Sequence, residues 1–102
     1  MTKLKKFMLL FVSIDKPDQK TQRKKGGEWV MGLPKGMMLD CYPFENNAKI
    51  VQKYSVSEYK EEPFGGYMII HAASLNEAIK IAESAPHVSF GGKIVVLPIE
   101  DV

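Results

Sequence analysis

Tyr67-Met68-Ile69-Ile70-His71-Ala72, followed after one residue by Ser74-Leu75-Asn76-Glu77, is the stretch that decides the fold. The first six residues form a continuous apolar run, the pattern of a strand covered on both faces and set in the middle of a sheet. The next four spell a helix start. Ser74 can accept a hydrogen bond from the Glu77 backbone N–H while the Glu77 carboxylate reaches back, forming a capping box. Leu75, Ala78, Ile79, Ala82 and Ala85 recur at helical spacing behind it, and Pro86 ends the helix.

Working outward, Phe7-Met8-Leu9-Leu10-Phe11-Val12 is a second continuous apolar run and a second interior strand. Residues 17–33 carry helix formers behind Asp15, Pro17 and Asp18, with Gly26-Gly27 expected to kink or split that helix. Its core contacts would come from Trp29, Val30 and Leu33. Pro34-Lys35-Gly36 turns the chain into a strand at 37–44, which Pro43 pushes toward a sheet edge or a bulge. Residues 50–57 read as one further strand, an arm of a hairpin, with Ile50, Gln52, Tyr54 and Val56 on one face. Residues 60–66 read as a loop, and Gly91-Gly92 leads into a last strand at 93–99.

The order β, α, β, hairpin, β, α, β predicts an α+β protein, a ferredoxin-like βαββαβ sandwich with an extra hairpin. Two helices cover one face of a four-stranded sheet, yet the strands at 7–12 and 67–72 are apolar on both. A second copy of the chain is the simplest cover, giving a homodimeric α/β barrel.

The 102 residues suit one domain, 1–102, and 45% hydrophobic with 25% charged residues is the composition of a folded protein. Cys41, the one cysteine, can form neither an internal disulfide nor a multi-thiolate metal site, which points to a reducing, cytoplasmic setting. The basic N-terminus followed by the run at 7–12 is shaped like a signal peptide, but no small-residue cleavage site follows before Asp15, and we read a strand. No segment approaches the roughly 20 apolar residues of a membrane span. A formal net charge of +2 is small for a nucleic-acid partner. Lys16, Lys20, Arg23, Lys24 and Lys25 have no interleaved aromatic platform and read as a solvated helix face.

Lys6 to Phe11 (Lys-Phe-Met-Leu-Leu-Phe) and Lys60 to Ile70 (Lys-Glu-Glu-Pro-Phe-Gly-Gly-Tyr-Met-Ile-Ile), with Ser74 to Ala78, Pro86, Gly91-Gly92 and Pro98-Ile99 in the same order, resemble the YCII-related, or DGPF-domain, family of dimeric α/β-barrel proteins. The resemblance spans nearly the whole chain and implies that fold. Some members are associated with a His and Asp pair, the His lying in the first helix. Here no histidine precedes His71, and Asp40 is the nearest match to the acidic partner. Of the Asp-Gly-Pro-Phe signature, Pro63-Phe64 remains.

His71, at the end of an apolar strand, could act as an acid or base or ligate a haem or a metal; the plainer reading is a histidine bonded to nearby backbone. Strand alternation puts it on one face with Tyr67 and Ile69. Asp40 lies in an otherwise apolar strand with Leu39, Cys41 and Tyr42: buried it is a candidate base, on an edge a solvated charge that discourages aggregation. Trp29 could stack on a ligand, with Glu28 beside it, or simply fill the core. His87, in the loop after the second helix, reads as exposed. With two histidines and no ligand-spaced cluster, no metal site is expected. Cys41 reads as a small apolar residue.

The expectation is a small-molecule pocket between sheet and helices. Its catalytic candidates are His71 and Asp40, and its lining candidates Tyr67, Trp29 and Tyr42. It would serve cofactor-free enzymology or haem-type chemistry, and no motif specifies the cofactor. The alternative is a non-catalytic ligand-sensing or partner-binding dimer.

Overall fold

A computed structural model describes residues 4–12, 19–44, 47–60 and 64–100, with the side chains of residues 19–23 left aside. Asp15, Lys16, Pro17, Asp18 and Pro63, and the side chains of Lys20 and Arg23, lie outside the described residues. The elements follow as β1 (Lys5–Val12), α1 (Gln19–Gly32), β2 (Met38–Pro43), β3 (Lys49–Gln52), β4 (Ser55–Glu58), β5 (Phe64–Ala72), α2 (Leu75–Glu83), α3 (Pro86–Ser89) and β6 (Lys93–Pro98). The protein is α+β. Four strands form one antiparallel sheet in the order β2-β5-β1-β6, and β3 and β4 pair as a separate hairpin.

The register explains why the runs at 7–12 and 67–72 are apolar throughout. Leu9 stands opposite Met68 on one side and Val96 on the other, and Phe7 opposite Ile70. These side chains, with Ala72, Ala78 and Ala82, form the core, against which Trp29, Val30, Leu33 and Ile81 of the helical layer pack. Leu9, Met68 and Ile70 are fully buried, each contributing about 1.5–3 kcal/mol relative to exposure. The alternate set, Met8 opposite Ile69 and Leu97, and Leu10 opposite Tyr67 and Val95, faces the other way. On that helix-free face Met8, Leu10, Tyr67 and Ile69 are half-buried, while Val95 and Leu97 remain 43% and 41% exposed.

Helix α2 starts as its sequence dictates: the Glu77 N–H donates to Ser74 Oγ at 3.2 Å. The returning Glu77 carboxylate accepts from the Ala73 N–H at 3.3 Å, one residue before the cap.

Four expectations are corrected. Helix α1 runs unbroken through Gly26-Gly27, where the propensity cost of about 1 kcal/mol per glycine is opposed by packing of Trp29, Val30 and Leu33 on the core. The strand expected at 50–57 is two strands around a turn at Lys53-Tyr54, with Gln52 opposite Ser55. Phe64-Gly65-Gly66, expected in a loop, begins β5. Gly66 is required there: a Cβ would come within 2.8 Å of the Tyr42 carbonyl oxygen and 3.0 Å of Pro43 Cα, backbone atoms of β2. Last, His87 is half-buried rather than exposed. Its Nε2 lies 2.8 Å from the Val12 carbonyl oxygen, and its ring meets the Phe11 ring edge-on at 5.4 Å.

The radius of gyration is 15.0 Å, against about 13 Å for a compact chain of this length. Almost every residue of the β3–β4 hairpin is exposed, including Val51 and Val56, which face one another across it. Among the described residues no helix is long and apolar enough to cross a membrane.

Candidate functional site

Strand β2 is a sheet edge, paired on one side with β5, and alternation along it sends Asp40, Tyr42 and, just beyond its end, Phe44 toward the helix-free face. Asp40 stands opposite Ile69, after an irregularity following Met38, and Tyr42 stands opposite Tyr67. The Tyr67 hydroxyl donates to Asp40 Oδ2 at 2.8 Å, and the Cys41 N–H donates to Asp40 Oδ1 at 3.0 Å. Both Asp40 and Tyr67 are half-buried.

Rings frame this pair. Phe44 stacks on Tyr67 with centroids 5.7 Å apart and planes at 26°, and Tyr42 lies on Tyr67 at 6.3 Å and 39°. The Phe44 N–H donates to the Gly65 carbonyl at 3.0 Å, which holds Phe44 beside β5.

The hydrogen bond to Asp40 pushes the Tyr67 phenol above its ordinary value, reinforced by burial and by the carboxylate's charge. The phenol therefore remains a donor at neutral pH. Cys41 is exposed, yet desolvation by the chain around it, then the charge of Asp40, pushes its thiol up, so this free cysteine is held in its thiol form rather than activated.

No protein-family model and no curated protein matches the chain. The likeness to YCII-related proteins gains no support from these comparisons. What stands is the α+β fold with its four-stranded antiparallel sheet.

Of the residues singled out from the sequence, Asp40, Tyr42 and Tyr67 come together. His71 shares their face, half-buried, and its backbone N–H donates to the Met37 carbonyl at 2.9 Å. As the residue two beyond Ile69, it is a diagonal neighbour of Asp40, as Tyr67 is on the other side. The carboxylate engages Tyr67; neither of its side-chain hydrogen bonds involves His71. Trp29 lies in the helical layer across the sheet, where its Nε1–H donates to Ser84 Oγ at 2.9 Å and ties α1 to the end of α2. Glu28 is exposed on α1.

Phe44 is the site residue that sequence reasoning missed. The spacing Asp40, Tyr42, Phe44 carried the signal, because positions i, i+2 and i+4 of an extended chain share a face. Among the described residues no three His, Cys, Asp or Glu side chains gather as a metal-binding group.

Proposed function

We propose that the chain is a small-molecule-binding protein whose site is the helix-free sheet face around Asp40 and Tyr67, closed by a second copy of itself. On this reading the strand order β2-β5-β1-β6, with the hairpin set aside, is the ferredoxin-like arrangement, and the two open faces meet as a barrel. The observation that carries it is a carboxylate and a phenol bonded to each other at 2.8 Å within a half-buried, largely apolar face. Binding sites combine an apolar lining with a few convergent polar groups in this way. Large apolar side chains left open on a sheet, here Val95, Leu97 and Tyr42, mark a surface that associates.

Binding is favoured over acid–base catalysis. With its ionisation raised, the Tyr67 phenol stays protonated at neutral pH and offers no base form there. His71 is a diagonal neighbour of Asp40 on β5, but neither side-chain hydrogen bond of the carboxylate involves it, so the two are not joined as a base and its orienting partner are. Were a haem bound on this face, His71 would be the side chain able to hold its iron. A cytoplasmic setting fits the free thiol of Cys41.

A thermal-shift screen of diverse small molecules tests the reading. Compounds that stabilise the wild type should lose their effect in the Asp40→Ala/Tyr67→Phe double variant, folded by circular dichroism. If that variant retains every such effect, the site has been misplaced.

A further inference from the structure

We infer that the Asp40 corner of the open face is a site for an organic cation bearing an alkylated ammonium group. The inference rests on the binding face proposed above and names the class of ligand it takes.

Two independent attractions for positive charge converge there. The first is the set of rings: Phe44 lies 5.7 Å and Tyr42 6.3 Å from Tyr67, centroid to centroid, and Tyr42 and Phe44 keep 62% and 43% of their surface exposed. Aromatic faces carry negative potential and attract cations held over them. The second is the Asp40 carboxylate. Both its side-chain donors, the Tyr67 hydroxyl and the Cys41 N–H, are neutral, so they orient its charge without cancelling it. Among the described residues Asp40 forms no ion pair; the ion pair seen is Lys49 with Glu58, in the hairpin.

The surroundings choose among cations. Ile69, Leu10 and Val95 occupy the neighbouring positions of the same face. A compact primary ammonium would lose strong hydration there and find few acceptors in return. An ammonium whose charge is spread over methyl groups sheds water more cheaply, and sets those methyls against both rings and aliphatic side chains. Such groups are what aromatic clusters recognise. An anion would meet Asp40 and be repelled. A neutral ligand would gain a hydrogen bond from the carboxylate but not the attraction of its charge.

The test titrates the full chain with choline and, separately, with its uncharged isostere 3,3-dimethylbutan-1-ol, following ring resonances of Tyr42, Phe44 and Tyr67 by NMR. Choline should shift these rings and bind about fivefold to thirtyfold more tightly than the alcohol, the range expected for a cation over aromatic faces. Asp40→Asn, with its fold checked by spectral dispersion, should narrow that preference by weakening choline more than the alcohol. Phe44→Leu, which keeps the carboxylate, should weaken choline more than the alcohol. Equal binding of the two probes at these rings would overturn the ammonium assignment and leave the binding face standing. If neither probe moves the rings while another compound from the thermal-shift screen does, the ammonium assignment again fails alone. If no compound moves them, both fail.

Discussion

The Tyr67 hydroxyl, on an interior strand, donates to Asp40 Oδ2 on the edge strand at 2.8 Å. Asp40 has Tyr67 and His71 as its two diagonal neighbours on β5, and its carboxylate is turned to the tyrosine. This one bond joins the two strands on the helix-free face, orients the charge of Asp40, and keeps the phenol protonated.

Tyr67 should ionise above the ordinary tyrosine value of 10.0, chiefly because Asp40 accepts its proton in a hydrogen bond. Folding then favours the neutral phenol. The stabilisation is complete below pH 10 and is lost as pH rises through the raised value of the folded state. Ultraviolet difference titration of the wild type against Tyr67→Phe isolates this ionisation, and Asp40→Asn should move it back toward 10.0.

Cys41 should react slowly with iodoacetamide at pH 8 compared with a free thiol, since desolvation and then Asp40 raise its ionisation above 9.0. Asp40→Asn should speed alkylation without reaching the free-thiol rate, because desolvation is the larger cause. Mass spectrometry of the alkylated chain gives both rates.

Gly92 is held to glycine by His87: an added Cβ would overlap the imidazole, which is fixed by the Val12 carbonyl and the edge of Phe11. Gly92→Ala should cost about 1–3 kcal/mol, the usual range for overpacking. In a His87→Ala background the same change should cost clearly less. Denaturant unfolding of the four proteins in this cycle measures the coupling.

Leu9 and Leu10 are adjacent residues on opposite faces. Leu9→Ala should cost about 2–5 kcal/mol, as a fully buried leucine does. Leu10→Ala should change unfolding in a concentration-dependent way if, as proposed, another copy covers its face. Urea midpoints at two protein concentrations separate the two behaviours.

The sheet's interior and α2 were legible in the sequence because their signals are local: two continuous apolar runs, and a serine three residues ahead of a glutamate. The hairpin turn was hidden because Lys53-Tyr54 lacks the Asn-Gly or Asp-Gly pair that marks two-residue loops. The continuity of α1 was hidden because tertiary packing at Trp29, Val30 and Leu33 opposes the glycine propensities. Alternation along the strands brought Tyr67 and His71 to one face, as read. It could not reveal that Asp40 would bond Tyr67 rather than His71, which depends on the pairing of β2 with β5. Nor could it place Trp29 across the sheet, since the side on which a helix packs is set by the chain's path between strands.

Native mass spectrometry of the gently purified chain tests the central claim most directly, because it reports assembly and retained small molecules together. The expected species is a dimer of the 11.5 kDa chain, reduced to monomer by Leu10→Lys on the open face, with any retained molecule lost in the Asp40→Ala/Tyr67→Phe variant. A wild-type chain that stays monomeric and bare at every concentration would contradict it, because Asp40 and Tyr67 would then lie on an open surface that encloses nothing.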